Sequence, residues 1–204
     1  MRCLRCLSTF IHRALGVVLG SLPLADTIRV YELSSRGALV AYLRRRFPDL
    51  TCSEYFDEVP PGAFKGTIQC QDVQRLTYDS DVFDLVTSTE VFEHVPNDQQ
   101  GFREIYRVLK PGGYFAFTVP LLGNAVTVER AVLQDGRVVH VLPPEYHGDR
   151  IRGLGRVLAF RNYGTDIGAR LEAAGFSAAI RDVSEPRHAI RHMKVVVARK
   201  PSAV

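Results

Sequence analysis

The chain has 204 residues, 24% of them charged and 46% apolar, with a formal net charge of +4. That length suits one α/β domain with a full core and is too short for two of ordinary size. The apolar and charged fractions exclude a disordered chain, and the mild positive charge gives no strong argument for a polyanionic partner.

In residues 1–25, Arg2 and Arg5 precede an apolar stretch from Leu7 to Ala25 that His12 and Arg13 interrupt. No uninterrupted apolar run approaches the ~18 residues needed to span a bilayer, and the broken one makes a poor secretory core. This segment reads as an amphipathic helix packed on the remaining domain, residues 26–204, in a cytoplasmic protein with no membrane partner. Cys3 and Cys6 form a C-x-x-C, half of a tetrahedral zinc site, without a second pair to complete it. Cys52 and Cys70 fall in expected strands and read as buried thiols, so no metal is expected.

Ile28 to Glu32 reads as a short apolar strand, followed by the loop Leu33-Ser34-Ser35-Arg36-Gly37. Leu39, Val40, Leu43 and Phe47 line one side of a helix that ends before Pro48, and Ser34 or Ser35 can cap it. Arg44, Arg45 and Arg46 read as its solvated face. With no basic stripe interleaved with aromatics, nucleic acid is not an expected partner. A second strand around Leu50 to Ser53 reaches Glu54, and a third around Thr67 to Gln71 reaches Asp72.

Phe83 to Ser88 is an apolar run suited to a strand buried on both faces of a parallel sheet. Asn97 or Asp98 can cap the next helix, in which Phe102, Ile105, Tyr106 and Leu109 share a face, and Pro111-Gly112-Gly113 stops it before a strand from Tyr114 to Val119. Residues 121–161 fit the alternation poorly. They read as an insertion that covers a site and meets the acceptor substrate, with a possible hairpin turn at Asp135-Gly136. Thr165 can cap a helix over Ile167, Leu171 and Ala174, which Gly175 stops. Phe176 to Val183 and Lys194 to Arg199 supply two last strands, too closely joined for a crossover, so the last is expected antiparallel. Seven strands with helices between the early ones predict an α/β, doubly wound sheet, whose ligands bind at the carboxyl ends of its strands.

The run from Asp72 to Leu121 resembles the middle of a class I S-adenosylmethionine-dependent methyltransferase of the type 11 kind. An acidic residue after the third strand, then Phe83-Asp-Leu-Val86 with Glu93-His-Val95, then Leu109-Lys-Pro-Gly-Gly113 stand in that family's order. The resemblance implies a seven-stranded Rossmann-like sheet with its last strand antiparallel. It also implies S-adenosylmethionine as cofactor and methyl transfer to oxygen or nitrogen of a small-molecule or glycan-type acceptor. The segment from Cys3 to Arg13 resembles the second half of a small zinc ribbon that precedes some bacterial members.

In that family the first loop is acidic-x-Gly-x-Gly-x-Gly, and here it is the degenerate Glu32-Leu-Ser34-Ser-Arg36-Gly37-Ala38. Arg36 either pairs with the cofactor's carboxylate or is an exposed loop arginine. Glu54, 22 residues after Glu32, is the expected ribose ligand, with Tyr55 beside it. Asp72 is expected to accept from the adenine amino group and Val73 to pack on the ring. Thr89, Glu90, Glu93 and His94 follow the fourth strand, where the family places methyl group and acceptor; Glu93 and His94 can equally brace the next helix. His94 and His147 are the candidate bases, with Glu145 and Tyr146 behind them. The alternative reading is a non-catalytic binding or assembly module whose glycine loop has decayed.

Overall fold

The computed structural model describes residues 3, 6–121, 123–149 and 155–202. Positions 122 and 150–154 of the expected insertion therefore lie outside the described residues. In chain order the elements are helix α1 (Phe10–Ser21), β1 (Val30–Glu32), α2 (Ala38–Arg46), β2 (Leu50–Glu54), β3 (Phe64–Lys65), β4 (Ile68–Cys70) and β5 (Phe83–Thr89). A 3-10 turn (Phe92–His94) leads to α3 (Asp98–Val108) and β6 (Leu109–Thr118). Six short strands follow: β7 (Val128–Glu129), β8 (Ala131–Gln134), β9 (Arg137–His140), β10 (Glu145–Asp149), β11 (Gly155–Ala159) and β12 (Arg161–Asn162). Helix α4 (Ile167–Glu172), β13 (Ser177–Glu185) and β14 (Ile190–Arg199) complete the chain.

The main sheet runs β13-β14-β6-β5-β1-β2-β4-β3. Strands β4, β2, β1, β5 and β6 are mutually parallel, and β14 is antiparallel to both β6 and β13. Alternation along the strands divides the core. Phe115, Phe117, Val196 and Ala198 join the α3 and α4 side with Phe92 and Phe102, whereas Ala116, Val195 and Val197 join Leu15, Leu19, Leu43 and Phe47 on the α1 and α2 side. Each large side chain so buried contributes about 1.5–3 kcal/mol, which fixes the sheet register because a one-residue slip would exchange the two faces.

Several details differ from the sequence reading. The sheet has eight strands rather than seven, because β3 adds an edge hairpin to β4. No helix joins β2 to β4 or β4 to β5; the chain crosses there in loops, the first through Pro60-Pro61-Gly62. A hollow of about 400 Å³, lined by Arg36, Arg44, Cys52 and Ile68 among others, opens beside that uncovered part of the sheet. Neither Ser34 nor Ser35 caps α2: Gly37 takes the cap position with φ +114°, a backbone that glycine alone adopts freely. Thr165 does not cap α4 either; Asp166 takes that place and turns its carboxylate to Thr127. Helix α3 ends at Val108, ahead of the Pro-Gly-Gly run, which bulges out of β6 between Leu109 and Tyr114. Among the described residues no helix is long and apolar enough to cross a membrane.

Candidate cofactor and acceptor site

The parallel register brings the carboxyl ends of β1, β2, β4 and β5 side by side. Glu32 lies between Cys52 and Thr87, and Glu54 lies beside Cys70, two residues before Asp72. Glu32 is 1% exposed and accepts from the Thr87 hydroxyl through Oε2, while Oε1 has no hydrogen-bond partner. Burial, reinforced by the charge of Glu54, pushes its carboxyl up to about 8. Glu54 is also buried and receives the backbone NH and the hydroxyl of Ser35 on Oε1, at 2.8 and 3.0 Å. The degenerate loop is thus tied onto the second acid, a contact that a glycine at position 35 would halve.

The other expected cofactor residues are arranged less uniformly. Asp72 turns back on Gln74, accepting from its backbone NH at 2.9 Å and its side-chain amide at 3.1 Å. Val73 is buried in the core cluster. Ser34 is half-buried, whereas Arg36, Gly37 and Tyr55 are exposed. Thr89 sits opposite Thr118 at the end of β5, and Glu90 follows with φ +51°, its NH bonded to Thr118 O. Ser88 Oγ, Glu90 Oε1 and Thr118 Oγ1 are buried without hydrogen-bond partners, as is Glu32 Oε1. Orphaned polar atoms gathered at strand tips suit a polar ligand such as an adenosyl amino acid.

The candidate acceptor residues divide in two. Glu93, 1% exposed, has both carboxylate oxygens without hydrogen-bond partners. His94 Nε2 stands 3.6 Å and His147 Nδ1 3.7 Å from its Oε1, and the two imidazoles cross edge to face at 4.9 Å. Glu93 and Glu145 together push His147 up to about 9, so the imidazole is charged at neutral pH and a poor base as it stands. Burial and the facing Glu93 push Glu90 up to about 7. Glu145 holds His147 Nε2 at 3.2 Å and pairs with Arg130. Tyr146 does not join them: strand alternation turns it to the outer face of β10, 48% exposed with Arg156 over its ring.

The insertion is fastened to this site by groups that periodicity does not reveal. Phe160 NH donates to Glu93 O at 2.7 Å, and His94 Nδ1 lies 2.8 Å from Leu158 O. Arg161, 3% exposed, grips Phe92 O, Val95 O and Pro96 O and pairs with Glu129. Asp98 joins Arg170 and the Tyr163 hydroxyl at the start of α3. The expected hairpin turn is present, with Asp135 and Gly136 both at positive φ between β8 and β9. Sequence reading gave Glu93 no more than a bracing or ligand role; its adjacency to His94, with Glu145 and His147 alternating on one strand, was the available signal.

Residues 24–117 match the family model described as a methyltransferase domain. A ubiquinone biosynthesis O-methyltransferase from Coxiella burnetii is 42% identical over 50 residues, 24% of this chain and 21% of that protein. A sarcosine/dimethylglycine N-methyltransferase from Halorhodospira halochloris is 35% identical over 84 residues, 40% of this chain and 30% of that protein. The matched stretches thus span less than a third of either relative. Among solved structures, an S-adenosylmethionine-dependent methyltransferase from Mesorhizobium loti aligns over 95% of this chain and 99% of its own, at 20% identity and TM-score 0.61. A Burkholderia thailandensis 1,6-didemethyltoxoflavin-N1-methyltransferase, solved with 1,6-didemethyltoxoflavin and S-adenosylhomocysteine, aligns over 95% of this chain and 79% of its own, at 18% identity and TM-score 0.55.

Proposed function

From a chain that carries a methyltransferase domain at residues 24–117 and has the class I S-adenosylmethionine-dependent methyltransferase fold, we propose an enzyme that moves a methyl group from S-adenosylmethionine to an acceptor. The acceptor we propose is an oxygen or nitrogen of a small or glycan-type molecule. The observation that carries the reading is the set of orphaned buried atoms on Glu32, Ser88, Glu90 and Thr118, clustered where parallel strands end. Sites of this kind are left polar for a ligand that completes them.

When bound, the cofactor supplies a methyl carbon on a positively charged sulfur. Glu54, fixed by Ser35, and Asp72 would hold the ribose and adenine ends, while Glu32 and the Ser34–Gly37 loop would receive the amino-acid end. That carbon would be open to in-line displacement by an acceptor lone pair with the sulfur as leaving group, and a carboxylate or imidazole on the Glu90 to His94 loop would take the acceptor proton. In-line alignment is the main demand on the protein, and the insertion that lays Glu145 and His147 over this loop excludes water and orients the acceptor. Relatives described as O- and N-methyltransferases support both acceptor atoms.

One observation favours a second reading, a binding module without catalysis. Glu54 and Asp72 are each engaged by the chain itself, through Ser35 and Gln74. Calorimetry with S-adenosylmethionine and its demethylated product separates the two. The enzyme is expected to bind both with micromolar affinity and to lose at least tenfold on Glu54→Ala; binding of neither ligand to the full chain would sink the enzyme reading.

A further inference from the structure

We propose that Glu93, His94 and His147 form a binding site for a divalent transition-metal ion of the zinc and cobalt class. One ligand atom from each lies within 4.8 Å of the others. Two donors held about 2.1 Å from a common ion stand between roughly 3 and 4.2 Å apart, which brackets the 3.6 and 3.7 Å from Glu93 Oε1 to the two imidazoles. Glu93 is the decisive residue. A carboxylate 1% exposed with both oxygens lacking hydrogen bonds is costly to bury, and an ion seated between it and the two imidazoles would complete it in place of the proton on His147.

The outer contacts of the two histidines select the right nitrogens. His94 Nδ1 lies 2.8 Å from the Leu158 carbonyl, so it carries the proton and turns Nε2 to Glu93. His147 is oriented the opposite way round: Nε2 donates to Glu145 at 3.2 Å and Nδ1 faces Glu93. A backbone carbonyl behind one imidazole and a carboxylate behind the other are the supports that metal-bound histidines take, fixing tautomer and raising ligand basicity. Glu145, itself held by Arg130 and Asn162, is therefore a positioning residue. Two imidazoles and one carboxylate leave open positions for water or substrate, the arrangement of catalytic rather than structural sites, and imidazole favours zinc, cobalt or nickel over magnesium. This trio is separate from Cys3 and Cys6, which belong to no such cluster among the described residues.

An ion here would lower the pKa of a hydroxyl that it holds, which favours an oxygen acceptor over nitrogen. That consequence rests on the methyl-transfer reading; metal binding itself does not. The test uses the full chain stripped with chelator and titrated with Co²⁺, followed by visible d–d absorption and by metal content after desalting. One ion per chain is expected, with d–d bands of nitrogen and oxygen ligation. Glu93→Gln and His147→Ala, whose melting curves check folding, are expected to weaken binding at least 100-fold. Glu145→Ala is expected to weaken it about 10- to 100-fold and to shift the bands, as loss of an outer support does. Failure of the native chain to take up Co²⁺, bands unmoved in folded His147→Ala, or a thiolate charge-transfer band abolished by Cys6→Ser would each overturn the assignment. Cofactor calorimetry run alongside keeps the two questions apart, since cofactor binding without metal leaves the methyl-transfer reading standing.

Discussion

Glu32 shows how one side chain sets a pH dependence for the whole fold. Its carboxyl is held at about 8 against an ordinary 4.5, chiefly by burial. Between those values the folded chain keeps a proton that the unfolded chain has released, so stability is full below about 4.5 and falls as pH rises towards about 8. The expected loss is at most roughly 5 kcal/mol, and Glu32→Gln should flatten the slope. Urea midpoints across that window measure it; equal slopes in both proteins would mean that Glu32 is ionised in the native chain. The residue scale is also where the sequence was least legible. The acids at three strand ends could be chosen from spacing, but which of them turn back on their own chain depends on Ser35 and Gln74, whose rotamers no periodicity encodes. Tyr146 was grouped with Glu145 and His147 by proximity in sequence, and the period of two in a strand separates them.

At the level of elements, the strong signals were local. Apolar runs marked β1 and β5, and the capping Asn97 with the face of Phe102 and Ile105 marked α3. Gly175 ends α4 in a Schellman arrangement, with its NH on Glu172 O and that of Phe176 on Leu171 O. Its φ is +100°, and a Cβ there would meet the Tyr106 ring at 2.9 Å. Gly175→Ala is therefore expected to destabilise by about 2 kcal/mol, lowering the melting temperature by roughly 4–8 °C. A melt unchanged from the native chain would contradict that geometry. The strands on either side of β4 are joined without helices, because alternation is a rule about typical connections and loops of about a dozen residues can cross without one.

For the molecule as a whole, the insertion and the sheet are joined through a few buried charges. Arg161→Ala would remove a buried donor from three carbonyls and leave Glu129 paired with Arg170 alone, at an expected cost of about 3 kcal/mol. Hydrogen exchange should then rise in β10 to β12 before it rises in β5 and β6. Uniform change across the chain would show that the insertion does not open separately. This long-range fastening was invisible in the sequence, since Arg161 is one of many scattered arginines and the carbonyls it holds lie 65 to 69 positions away. The parallel strand order followed from local patterns because each early strand pairs with neighbours in a right-handed winding that leaves few alternatives.

Glu90 stands in a left-handed backbone conformation that L residues avoid by about 1 kcal/mol, and glycine would occupy it without that discomfort. A position tuned for foldability alone would shed the carboxylate. Retaining an acid on this bend leaves the chain slightly less robust than it need be, and the forgone robustness marks the tip of β5 as a place shaped by what it must hold rather than by how it must fold.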